Sequence, residues 1–138
     1  MPTSGGPEAE PSDYSDDMRT ILLVADRQRV IDRVHTALVG TDISVIDHTD
    51  PATAAEVAYE EGVETVLVDM RVGSMGSLAV TRSVRSHARG GDEIPVTILL
   101  DRDADAFIAR RSGARNWVGR DEVATGLREA LSVPSSSA

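Results

Sequence analysis

Five short runs of apolar, largely β-branched residues recur along the chain, and a stretch with helical spacing follows each of them. The runs are Thr20 to Val24, Ile43 to Ile46, Thr65 to Val68, Val96 to Leu100 and Asn116 to Val118. Near-continuous apolar runs of this length suit strands buried on both faces, the situation of a parallel sheet. Between them, Val30, Ile31, Val34 and Leu38 form one apolar helical stripe. Asp50 before Pro51 predicts a helix start, with an N-cap side chain and proline in the first turn, running to Glu61. Val80 and Val84 mark a third helix ended by Gly90 and Gly91, and Phe107 and Ile108 a fourth ended by Gly113. Val123, Leu127, Ala130 and Leu131 give a fifth, with Asp121 as its expected cap. Strand–helix alternation with short connections implies right-handed crossovers and a (βα)5 doubly wound α/β fold with a five-stranded parallel sheet.

The 138 residues allow one domain, expected over 19–132. The first 18 residues carry Pro2, Pro7 and Pro11 and five acids with no base, and read as a disordered acidic tail. They lack the basic and apolar regions of a secretory signal. Residues 133–138 read as a second disordered tail. There is no cysteine, hence no disulfide framework or thiolate metal site, and all 14 basic residues are arginine, which excludes Schiff-base and P-loop lysines. A net charge of -9 argues against non-specific binding to nucleic acid or anionic membranes. No apolar run approaches the roughly 20 residues of a membrane span. A cytoplasmic location is expected.

In doubly wound sheets, ligands bind beyond the carboxyl ends of the strands. Asp69 closes the third run, where it can act as a nucleophile toward a phosphoryl group or cap the loop that follows. Asp26 closes the first run. Neighbouring strands lie about 4.8 Å apart, so Asp26 and Asp69 can converge on one hard cation, or Asp26 can cap the helix that begins near Gln28.

The topology, the Asp69 strand and the Ser112-Gly113-Ala114 turn before strand five resemble a bacterial two-component response-regulator receiver domain, CheY-like in its flavodoxin-like fold. The resemblance covers the whole folded part. It implies that Asp69 is the candidate phosphoacceptor, charged from a histidine kinase, and that Asp26, Asp69 and the Arg71 backbone carbonyl are the magnesium ligands. The departures are as specific as the match. Ala25 stands where receivers carry a second carboxylate, which leaves magnesium binding weakened. Leu100 takes the place of the usual Thr or Ser, and Asp101 adds negative charge beside a site that would accept a dianion, which disfavours the phosphorylated state unless the metal or Arg120 offsets it. Arg120 takes the place of the usual Lys with a different donor geometry. Asp121 replaces the following proline, so a cis peptide bond is not expected there. Trp117 matches the family's switch aromatic, with a half-buried core ring as the alternative.

His35, His48 and His87 have no ligand spacing. Arg110, Arg111, Arg115 and Arg120 cluster around helix four and strand five; the helix four–strand five–helix five side is the docking face of receivers, and a solvated helix face is the plainer reading. These features predict an atypical single-domain response regulator. It would act in two-component-type signal transduction through protein–protein contacts, with degenerate phosphorylation chemistry. The alternative is a conventional receiver switched by phosphate on Asp69. The expected partners are proteins, a histidine kinase or a second copy among them, with no membrane and no direct DNA binding. No enzymatic activity is expected beyond self-phosphorylation and dephosphorylation at Asp69.

Overall fold

The computed structural model describes residues 19–72, 76–87, 94–102 and 105–131, except for the side chains of Arg120 and Ala124. The tails expected at 1–18 and 133–138, the helix stop at Gly90 and Gly91, and most of the loop after Arg71 lie outside the described residues. The strands are β1 (Arg19–Val24), β2 (Ile43–His48), β3 (Thr65–Asp69), β4 (Val96–Leu99) and β5 (Asn116–Val118). The helices are α1 (Gln28–Ala37), α2 (Ala54–Glu61), α3 (Gly76–His87), α4 (Ala106–Ser112) and α5 (Val123–Ala130). All pairings are parallel and the strand order is β2-β1-β3-β4-β5, so the expected (βα)5 architecture holds.

The two-residue period of the strands divides the core into two layers. Leu22, Val24, Val66, Val68, Val96 and Ile98 face α2, α3 and α4, where they meet Ala54, Ala58, Val80, Val84 and Ala109. Ile21, Leu23, Leu67, Leu99 and Val118 face α1 and α5, where they meet Val34, Leu38, Val123 and Leu127. Ala25 belongs to this second layer and is buried, so its methyl group is part of the packing.

Several boundaries differ from the sequence expectation. β2 runs on to His48 because Asp47 and His48 continue the ladder with Leu23 and Val24, and an edge strand can carry polar residues that periodicity reads as loop. Asp50 does act as a cap, accepting from the Ala52 amide at 3.0 Å, but Pro51–Thr53 form a 3-10 turn before α2 begins. Asp121 is not the cap of α5. It lies inside a 3-10 turn, Arg120–Glu122, that feeds the helix directly. Asp26 is likewise not the N-cap of α1, a position held by Arg27 without a side-chain capping bond. Gly113 ends α4 as expected, in the left-handed conformation at φ 92° that favours glycine.

Candidate functional site

With β1 and β3 adjacent and their partners β2 and β4 on opposite sides, the chain reverses direction across the sheet at the β1–β3 pair. The carboxyl ends of these strands bring Ala25, Asp26, Arg27, Asp69 and Arg71 together, and β4 adds Leu100 and Asp101. Asp69 is the last residue of β3 and pairs in register with Leu99. Its place in the ladder points its side chain toward the α1 and α5 side, and it is 1% exposed. An ionised carboxylate buried to that degree needs compensating donors.

Arg27 supplies them. Its Nε donates to Asp69 Oδ2 at 2.9 Å and its Nη2 to Oδ1 at 2.8 Å, a bidentate fork that matches the carboxylate geometry. The Arg71 backbone amide adds a third bond to Oδ1 at 3.1 Å, closing an Asx-type turn over the strand end. Arg27 Nη1 also reaches Asp101 Oδ1 at 3.4 Å, and Arg71 Nη1 reaches Asp101 Oδ2 at 3.2 Å. Acid and base therefore alternate across three strand ends, in the order Asp69, Arg27, Asp101, Arg71. The hydrogen bond to Asp69, ahead of any other influence, raises the Arg27 pKa still further above its ordinary value.

A cavity of about 160 Å³ opens over this network, lined by Arg27, Val34, Asp69, Leu99, Leu100 and Asp101 among others. Leu100 is buried and its amide donates to the Val118 carbonyl at 2.9 Å, which ties the end of β4 to β5. Its side chain offers the cavity wall no donor. Asp101 is not the unbalanced charge that the sequence suggested, since two guanidinium groups meet it. The Arg120 side chain lies outside the described residues, so only its backbone, at the start of the turn after β5, is placed.

The expected metal ligands fit a cation incompletely in this arrangement. Both Asp69 oxygens already accept bonds from a cationic side chain, and Ala25 contributes a methyl group to the core where a carboxylate would face the ion. Asp26 is exposed. Among the described residues, no group of three His, Cys, Asp or Glu side chains is arranged to hold a metal. The three histidines have local partners instead. His35 meets Asp47 at 2.8 Å, His48 meets Thr53 at 2.8 Å, and His87 lies against the Tyr59 ring with centroids 5.1 Å apart.

Trp117 is half-buried on β5, opposite Ile98, with the Arg110 guanidinium 5.9 Å from its ring centroid. Arg111 similarly lies over Phe107 at 5.1 Å. Two members of the predicted arginine cluster are thus engaged with aromatic rings on and beside α4. Phe107 and Ile108 are exposed there, at 61% and 42%. Sequence reasoning missed Arg27. The one signal it carried was its position, the third residue after the β1 run, just beyond the carboxyl end of the strand.

No protein-family model matches the sequence, and no curated protein matches it. Solved structures do. The chain is similar to the N-terminal signal receiver domain of a two-component response regulator from Bacteroides fragilis, with 28% identity over 83% of this chain and 93% of that one, and a TM-score of 0.69. It is also similar to the BeF3-activated N-terminal receiver domain of Klebsiella pneumoniae RstA, with 22% identity over 83% and 96% of the two chains and a TM-score of 0.69. A third structure, the Mn(2+)-bound form of response regulator Rcp1, is 16% identical over 82% and 94%, with a TM-score of 0.64. No helix among the described residues is long and apolar enough to cross a membrane. The strand order, the two helical layers and these likenesses together give the chain the flavodoxin-like fold of response-regulator receiver domains.

Proposed function

We propose that the chain is an atypical response-regulator module of two-component-type signalling, one that works through protein contacts and has degenerate phosphorylation chemistry. The observation that carries this reading is the state of Asp69: buried, with both oxygens held by Arg27. To attack a phosphoryl group, a carboxylate oxygen must present a lone pair to the incoming phosphorus. Here the fork would have to open first. Leu100 adds to the case, because a leucine cannot hydrogen-bond a phosphoryl oxygen and so cannot report the modification to the rest of the domain.

A magnesium ion would use Asp26, Asp69 and the Arg71 carbonyl, with Ala25 and Arg27 both weakening it. The protein-binding face we assign is the side formed by α4, β5 and α5. Arg110 stands over Trp117 on that side, while exposed Phe107 and Ile108 on the outer flank of α4 continue, with Arg111, toward Leu78 and Arg82 of α3. A histidine kinase or a second copy would dock on this face, and Trp117 would sense the contact through Arg110.

The test is labelling by a small acyl phosphate with magnesium present, followed by intact mass. No stable adduct is expected. Stoichiometric labelling lost in Asp69→Asn would overturn the reading in favour of a conventional phosphorylation-switched receiver.

A further inference from the structure

Four side chains at the strand ends, Asp69, Arg27, Asp101 and Arg71, carry two negative and two positive charges and are joined by bonds of 2.8 to 3.4 Å. These four side chains sum to zero charge. We infer that Arg27 is a built-in counter-cation that takes the place of a divalent metal at Asp69 and closes the site to metal in the resting protein. The inference deepens the proposed function by naming what neutralises Asp69, and it rests on the geometry of that same site.

Three features support it. The fork satisfies both carboxylate oxygens in the directions a planar guanidinium requires, and the Arg71 amide takes a further lone pair of Oδ1. An entering ion would need those oxygens as ligands. Arg27 is also anchored twice, since Asp101 holds Nη1, and Asp101 is fixed in turn by Arg71. Finally, Ala25 removes the carboxylate that would tip the balance. A dication at Asp69 would lie beside a fixed guanidinium, against Coulomb repulsion in a partly buried site.

The experiment is a Mn2+ titration of the full chain at neutral pH and low ionic strength, read by electron paramagnetic resonance of free Mn2+. The wild-type chain is expected to leave Mn2+ free. Arg27→Gln, which stays polar but loses the charge and the reach of the fork, should bind it at least about tenfold more tightly, and Arg27→Lys should not. Adding Asp69→Asn to Arg27→Gln should abolish the gain. Equal binding by wild type and Arg27→Gln, or a gain that survives Asp69→Asn, would overturn the inference. So would a folded Arg27→Gln variant with no gain at all.

A second measurement needs no variant. The resonance of the Arg27 Nε–H, which donates to Asp69 Oδ2, should stay in place as Mg2+ is added in large excess. Its release by Mg2+ at concentrations near those of the protein would equally overturn the inference. Because these readouts follow metal and not phosphate, they can fail while the labelling result stands, and the reverse.

Discussion

Arg27 and Asp69 form a bidentate pair whose members sit in different environments: the Asp69 side chain is 1% exposed and that of Arg27 37%. The two halves of the pair are therefore not equivalent. Removing Arg27 leaves a buried carboxylate short of its main donors. Removing the Asp69 charge leaves a guanidinium that can turn toward water and Asp101. Arg27→Ala should lower the unfolding free energy by about 2–4 kcal/mol, toward the cost of breaking a buried ion pair. Asp69→Asn should cost only about 1 kcal/mol, the net worth of an ordinary hydrogen bond. Urea unfolding of both variants in chelator would measure the order, and a larger loss in Asp69→Asn would contradict it.

The fold was legible in the chain because its signal is carried by many residues at once. Ile21, Leu23 and Leu67 on one side and Leu22, Val24 and Val66 on the other make continuous apolar runs, and such runs admit few alternatives to a doubly wound parallel sheet. Asp69 was legible for the same reason, as a charge at the end of a buried run. The pairing of Arg27 was not. It depends on β1 and β3 being neighbours, a contact across 42 positions of sequence, and on a side-chain direction that no periodicity encodes. The partners of Asp101 were hidden for the same reason, since its charge reads as repulsive until Arg27 and Arg71 are placed against it. Helix caps such as Asp121 failed more locally: a 3-10 turn shifts the helix start by a few residues without any change in composition.

Leu100 defines a second prediction. Leu100→Thr places a hydroxyl in the cavity wall, yet leaves Asp69 in its fork. On its own it should leave Trp117 fluorescence unmoved by acyl phosphate and magnesium. Combined with Arg27→Gln, the same substitution should allow a saturable response that Asp69→Asn removes. Trp117 is the single tryptophan, so the emission reports from β5 alone. A response in Leu100→Thr by itself would mean that the missing hydroxyl, and not the fork, is what silences the site.

Arg128 joins the two helices on one side of the sheet. From α5 it donates to the carbonyls of Ala37 and Val39 at 2.9 Å each, satisfying acceptors left open at the end of α1. Its charge also complements the negative end of that helix dipole. Arg128→Ala should destabilise the domain by about 1–2 kcal/mol, with hydrogen exchange accelerated in the last turn of α1 and little affected in β3. Uniform acceleration through both elements would show instead that the loss is global.

The amino-terminal end of β1 supplies a pH-dependent contribution far from the strand-end network. Arg19 Nε and Nη2 donate to the two Glu64 oxygens at 2.8 and 2.6 Å, and this hydrogen bond holds the Glu64 carboxyl below the usual glutamate range, against a smaller opposing effect of burial. A carboxyl whose pKa is lower folded than unfolded binds its proton more readily in the unfolded chain. Its stabilisation is therefore complete above the unfolded value, about 4.3, and is lost as pH falls through the folded one. Glu64 is about half exposed, so solvent screening keeps the contribution small. Comparing wild type with Glu64→Gln by urea unfolding across pH should give a constant, modest difference from neutrality down to about pH 5, shrinking toward zero in stronger acid. A difference that widened on acidification would mean that Glu64 is stabilised in its protonated form, the opposite of what its bonds to Arg19 require.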